Sequence, residues 1–108
     1  MQDAVERQWH WLLAERNLAP EVSQMIAAAA SRPELRRLFP YLSLDHYLRF
    51  SFTSEWPYTD DLPFLRYVDP NSVLDGPAFE LRGGNAEPLG RGDLQELIDR
   101  LVVLMPAS

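Results

Sequence analysis

The first third of the chain has hydrophobic residues at helical spacing. A helix is predicted over residues 2–17, because its apolar residues recur every three or four positions and so share one side. That side is formed by Val5, Trp9, Leu12 and Leu13. A second helix is predicted to begin at Pro20, whose fixed φ suits the first helical position. The capping-box spacing of Ser31 and Glu34 predicts a third, short helix that ends at Pro40.

Hydrophobic residues then alternate with polar ones, which is typical of strands with one buried face. Strands are predicted at residues 47–53, 64–68, 78–82 and, briefly, around Leu89. In the first of them, Phe52 extends the apolar alternation. Helical spacing returns in residues 93–104 and predicts a closing helix with Asp93 as its N-cap.

Helices followed by strands and a closing helix indicate the α+β class. We expect N-terminal helices, a three- to four-stranded antiparallel meander and a C-terminal helix, with the helices packed on one sheet face. The length fits a single α+β domain over residues 1–108. The predicted core comprises Trp9, Leu12, Leu38, Phe39, Leu48, Phe50, Phe52, Leu97, Ile98 and Leu101.

The chain is acidic, with a formal net charge of −6. This charge argues against nucleic-acid binding, which needs clustered positive charge, and against docking on an anionic membrane. No apolar stretch is long enough for a membrane span, so we expect a cytoplasmic protein. The chain has no cysteine, which excludes disulfide scaffolds, thiol catalysis and cysteine-based zinc sites.

Neither histidine, His10 nor His46, has a partner at the spacing of a catalytic or metal site. The adjacent Asp60 and Asp61 lack the pattern of a calcium-binding loop, and a solvated acidic turn is the simpler interpretation. We therefore expect no catalytic residue, no metal site and no cofactor.

The segment of residues 54–63 joins two predicted strands and carries aromatic rings, prolines and carboxylates. Large aromatic side chains are costly to leave in water unless they pack or bind something. One interpretation makes Trp56 and Tyr58 a partner-binding surface. Its polar rim would consist of Glu55, Asp60 and Asp61. The alternative folds Trp56 back over the sheet edge as a structural cover.

Two further features could serve a partner. Trp11 lies about 200° from Trp9 around the first helix, so it is either a small packing contact or an exposed anchor. Arg49, Arg66 and Arg82 occupy polar strand positions and would share one sheet face if the strands pair in sequence. That face could bind an acidic peptide through guanidinium forks, or it could be a solvated face with cross-strand charge pairs.

Residues 32–40, 48–51 and 57–64, together with the end of the closing helix, resemble segments of a known family. These are small actinobacterial proteins of the DUF6193 type, which carry a natural-product-biosynthesis label. The resemblance covers most of residues 9–106. It implies an accessory role near biosynthetic genes and supplies no catalytic residues.

Our leading hypothesis is a non-enzymatic protein-interaction or accessory module of a bacterial biosynthetic or regulatory system. Its partner is expected to be another protein, with a homodimer as a further possibility. One alternative is a small-molecule-binding protein or minor enzyme with a pocket between helices and sheet. Another is an immunity-type antitoxin. A deep pocket with convergent polar groups would favour the small-molecule alternative, and a flat patch centred on aromatic residues would favour the interaction module.

Overall fold

The computed structural model describes residues 4–43, 47–59, 61–68 and 79–105, and it confirms the predicted α+β class. The helices are α1 (Ala4–Ala14), α2 (Pro20–Ala30), α3 (Pro33–Arg36) and α4 (Leu94–Leu104). The strands are β1 (Phe39–Ser43), β2 (Tyr47–Ser51), β3 (Phe64–Tyr67), β4 (Phe79–Arg82) and β5 (Pro88–Gly92). Three helices thus precede the strands along the chain and one follows them.

The strands form one antiparallel sheet in the order β1-β2-β3-β4-β5, so the prediction of three to four strands was wrong. The strand that the sequence did not predict is β1, which contains Pro40, the expected end of the third helix. Proline lacks the N–H donor and is confined mainly to edge strands. β1 is one edge of the sheet, and the opposite edge, β5, begins at Pro88.

The two predicted N-caps differ in outcome. Asp93 caps α4 as predicted, because its carboxylate accepts hydrogen bonds from the backbone N–H groups two and three residues further on, at 3.1 and 3.3 Å. The prediction of a capping box at Ser31 and Glu34 was wrong. Ser31 closes α2 instead, and its hydroxyl donates to the carbonyl of Ala28 at 2.7 Å. Arg32 precedes α3 without a side-chain cap.

One buried cluster joins the helices to the sheet around Trp9, which is fully buried. The Trp9 indole Nε1 donates to the carbonyl of Leu38 at 3.0 Å, and its ring centroid lies 6.4 Å from that of Phe50. The strands contribute Leu48, Phe50, Leu65 and Leu81, and the helices contribute Leu12, Val22, Met25, Ile26, Leu97, Ile98 and Leu101. In the ranges that the structure describes, no helix is long and apolar enough to cross a membrane.

Two residues of the predicted core lie elsewhere. Phe52 is 49% exposed, because β2 ends at Ser51 and the backbone N–H of Phe52 donates to Thr59 Oγ1 at 3.1 Å. Phe52 therefore continues the apolar alternation of β2 in the sequence, but the residue lies beyond the end of the strand. Phe39 is buried as predicted, but it belongs to β1 rather than to a helix. It pairs with Ser51, and alternation along β2 therefore places it on the face opposite Phe50.

Phe50 and Phe52 both lie in the predicted strand of residues 47–53, and together they give a direct test of the fold. Phe50→Ala should lower the free energy of unfolding by about 3–5 kcal/mol, because it removes a fully buried ring. Phe52→Ala should change that free energy by less than about 1 kcal/mol, since half of the ring already contacts water. Urea denaturation of both variants measures the difference. Equal losses would contradict the end of β2 at Ser51.

Candidate functional site

The sheet face opposite the buried cluster, called the outer face below, carries aromatic and charged side chains. Residues paired across neighbouring strands point to the same side, and the registers pair Tyr47 with Arg66 and Arg66 with Glu80. Alternation along β2 and β4 adds Arg49 and Arg82. The prediction that the three strand arginines share one face is therefore confirmed. The outer face consists of Phe39, Tyr41, Tyr47, Arg49, Ser51, Phe64, Arg66, Glu80, Arg82 and Arg91.

Residues 52–59, called the aromatic loop below, are held at their base by side-chain hydroxyl groups. Ser51 is fully buried, and its Oγ accepts hydrogen bonds from the N–H groups of Thr53 and Thr59, at 3.0 and 2.9 Å. Thr59 Oγ1 in turn accepts the hydrogen bond from Phe52. These bonds tie the two ends of the loop together without strand pairing.

Tyr58 folds back onto the sheet, whereas Trp56 projects away from it. The Tyr58 ring centroid lies 5.2 Å from that of Phe39 and 4.8 Å from that of Tyr41. The Tyr41 hydroxyl secures this contact by donating to the Thr59 carbonyl at 3.0 Å. Trp56 meets Tyr58 edge-on at 5.6 Å and remains 82% exposed. The interpretation of Trp56 as a structural cover was therefore wrong, and Tyr58 is the ring that covers the sheet edge.

Two of the three predicted rim carboxylates can be placed. Glu55 and Asp61 are exposed, and Asp60 lies outside the described residues. A Cβ atom at Gly84 would overlap the carbonyl oxygen of Asp61, so only glycine allows this close approach. The connection from β2 to β3 therefore rests against the turn between β4 and β5 at Asp61.

Trp11 is 59% exposed on α1, which agrees with the anchor interpretation and not with a packing contact. Leu13, expected on the apolar side of the helix, is also 43% exposed. Within the described ranges, no ring contact links Trp11 to Trp56 or Tyr58. The structure thus does not bring all the predicted partner residues into one site.

Glu80 is the centre of a charged cluster, in which the cross-strand charge pairs expected for this face are formed. Its side chain is almost fully buried on the outer face. Arg82 Nε donates to Oε1 at 2.7 Å, Arg91 Nε donates to Oε2 at 3.1 Å, and an Nη atom of Arg66 lies 3.5 Å from Oε1. We call these four residues the arginine cluster. Pairing of the strands in sequence predicted Arg66 and Arg82 on this face, whereas Arg91 was not predicted and joins the cluster through the register of β5 with β4.

Opposing effects act on the Glu80 carboxyl. Burial tends to raise its pKa, because the charged form loses hydration. Hydrogen bonds and positive charges from Arg82 and Arg91 outweigh burial, and they hold the pKa of Glu80 below its ordinary value of 4.5. Glu80 is therefore ionised at neutral pH. Three guanidinium charges less one carboxylate charge leave the arginine cluster with a net charge of +2.

The described ranges contain no group of three or more Asp, Glu, His or Cys residues that could hold a metal ion. His10 lies 3.6 Å from Glu6 on α1, and His46 lies outside the described residues. The outer face offers aromatic contact at β1 and the aromatic loop, and positive charge at β3, β4 and β5.

The lowered pKa of Glu80 predicts how the cluster stabilises the fold at different pH values. Glu80→Gln should lower the free energy of unfolding at pH 7 by about 2–3 kcal/mol, because three partly exposed arginines lose their counterion. A lowered folded-state pKa contributes stability above the unfolded value, 4.5, which is lost as the pH falls through the folded value. The gap between wild type and variant should therefore be constant from neutral pH to about pH 5.5 and shrink below it. Urea denaturation at a series of pH values measures the gap, and a gap unchanged at about pH 3 would contradict the role of Glu80.

Comparison with known proteins gives a family match. Residues 3–87 match the family described as "Family of unknown function (DUF6193)", and this match covers the aromatic loop and Glu80. No curated protein and no solved structure matches the chain. Since the matched residues make up most of the chain, the protein belongs to the DUF6193 family.

Proposed function

We propose that this chain is a non-enzymatic protein-interaction module that docks on a partner protein through the aromatic loop, with Trp56 as the anchor. The observation that carries the proposal is the contrast between Trp56, 82% exposed, and the fixed loop beneath it. An exposed indole on a mobile loop is a poor anchor, because ordering the loop would oppose binding. Here Ser51 and Tyr58 hold the loop before any partner arrives.

The energetics of such an anchor favour tryptophan. A tryptophan side chain has a large contact area and few torsions to fix, so it loses little conformational entropy when it is buried. The Tyr58 ring already limits where the Trp56 indole can lie. Together they supply the aromatic centre that is common in interaction hot spots.

The rim charges determine what kind of partner fits. Glu55 is exposed directly before Trp56 in the chain, and Asp61 is exposed further along the connection to β3. A partner with an apolar pocket surrounded by basic residues would be electrostatically complementary. Rim charges of this kind mainly raise the association rate, so added salt should slow association more than it speeds dissociation.

The two other classes of function have less support. A small-molecule site or minor enzyme would need a pocket with polar groups converging from several elements. The depression lined by Asp99, Arg100, Val103 and Leu104 lies on α4 alone. For an immunity-type antitoxin, the acidic net charge of the chain is the supporting feature. A role in a biosynthetic or regulatory system is the wider setting that we propose for it.

Trp56→Ala should leave the free energy of unfolding within about 0.5 kcal/mol of wild type, because the indole is exposed. The same change should weaken partner binding by about 30-fold or more, as expected for a hot-spot residue. The partner is first captured on the immobilised wild-type protein and identified. Its dissociation constant is then measured with the purified proteins.

Trp11→Ala is the matched control, since Trp11 is also an exposed tryptophan but lies on α1. It should leave binding unchanged. Weakened binding in Trp11→Ala with normal binding in Trp56→Ala would move the interface to α1 and refute the proposal. Sedimentation of the wild-type protein alone tests whether the partner is a second copy of the chain.

A further inference from the structure

The arginine cluster has more positive charge than the fold requires. Glu80 can neutralise one of the three guanidinium groups around it, and the structure shows no other carboxylate paired with Arg66, Arg82 or Arg91 in the described part of the chain. The cluster thus keeps a net charge of +2 within a protein whose net charge is −6. A chain this acidic has many carboxylates, yet it places one against three arginines.

The cluster also has more N–H donors than Glu80 can accept. A carboxylate can accept about four hydrogen bonds, whereas three guanidinium groups present about fifteen N–H donors. Arg82 uses a further donor on the Ala86 carbonyl at 2.6 Å. Arg66 Nε is buried and has no hydrogen-bond partner among the described residues. A buried donor without a partner is energetically costly, and the exposed N–H groups of Arg82 and Arg91 remain able to donate to an anionic ligand.

Aromatic rings support two guanidinium groups of the outer face, those of Arg66 and Arg49. The Arg66 guanidinium lies 5.2 Å from the centroid of Tyr47, and that of Arg49 lies 4.3 Å from the centroid of Phe64. Tyr47 and Phe64 contact each other at 5.7 Å, so the support is continuous. The attraction to a ring acts through its face, so Tyr47 does not compete for the N–H groups of Arg66.

The strand registers arrange these groups in a row across the sheet. Arg66 on β3, Glu80 on β4 and Arg91 on β5 are direct neighbours in the pairing. Adjacent strands lie about 4.8 Å apart, so the backbone positions of the two arginines are separated by about 10 Å with Glu80 between them. Alternate side chains of an extended peptide are about 7 Å apart on the same side, which is a separation that flexible arginines can match.

From these observations we propose that the arginine cluster is a binding site for an acidic peptide, whose carboxylate side chains pair with Arg66 and Arg91 on either side of Glu80. A single phosphate that contacted both arginines would have to lie beside the Glu80 carboxylate, a repulsive contact between like charges. Two separate carboxylates avoid that contact. Repulsion from the rest of the protein is weak, because charges beyond about 8 Å are screened at physiological ionic strength.

This site is separate from the interaction proposed for Trp56. The aromatic loop covers β1 through Tyr58, whereas the cluster lies on β3, β4 and β5. The probe is a short fluorescent peptide of alternating Glu and Gly, compared with the same peptide carrying Gln in place of Glu. Fluorescence anisotropy should show binding of the Glu peptide, weakened by added salt, and no binding of the Gln peptide.

Arg91→Gln is the main variant, because Arg91 is the most exposed member of the cluster and its loss leaves Glu80 paired with two arginines. It should weaken binding of the Glu peptide by about tenfold or more. Arg7→Gln is the matched control, since it removes the same charge from an exposed position on α1, and it should leave binding within about twofold. Trp56→Ala should also leave peptide binding unchanged, which separates this proposal from the first.

Four outcomes would overturn the proposal. The first is no binding of the Glu peptide at about 1 mM protein. The second is an equal loss in Arg7→Gln and Arg91→Gln, which would indicate a general effect of net charge. The third is displacement of the peptide by inorganic phosphate at a phosphate concentration below the dissociation constant of the peptide. That result would assign the cluster to phosphate. The fourth is unchanged binding in both Arg91→Gln and Arg66→Gln when circular dichroism shows that the two variants are folded.

Discussion

The indole of Trp9 connects the helices to the edge of the sheet where the aromatic loop lies. Its hydrogen bond to the Leu38 carbonyl fixes the chain one residue before β1 begins, and its ring packs near Phe50 on β2. β1 in turn presents Phe39 and Tyr41 on the outer face, where they support Tyr58. The exposed position of Trp56 therefore depends on a buried contact on the other side of the sheet. A buried tryptophan whose N–H is satisfied is well suited to this role, since it combines a large apolar area with one directional bond.

The outer face has two parts of different chemistry. Around β1, contact between aromatic rings dominates, and the acidic groups near it lie on the loop. Across β3, β4 and β5, arginines surround one buried carboxylate. The net charge of the whole chain does not describe the local charge of either part. Glu80 stabilises the second part of the face, because it allows three like charges to lie close together on one small sheet. Tyr47 and Phe64 lie between the two parts, and the arginine side chains stack on them.

The sequence was sufficient for features that depend on local periodicity. The helical spacing around Trp9, the alternation of Leu48 and Phe50 and the cap at Asp93 were all predicted correctly. β1 was not predicted, because Pro40 is a helix-stop signal unless the strand is known to lie at an edge. Without β1, nothing in the sequence could show that Tyr58 rather than Trp56 would find aromatic support. The arginine cluster depends on register between strands that are far apart in the chain, and alternation within a strand does not determine register.

The prolines of the outer strands bear on how further strands could pair with the sheet. β1 and β5 are the two edges of the sheet, and each includes a proline, Pro40 in β1 and Pro88 at the start of β5. Many proteins capture a peptide by β-augmentation, in which the ligand becomes an additional strand through main-chain hydrogen bonds. Proline has no N–H donor and is one of the features by which edge strands are protected from pairing. The same edges protect the sheet from joining the strands of other sheets.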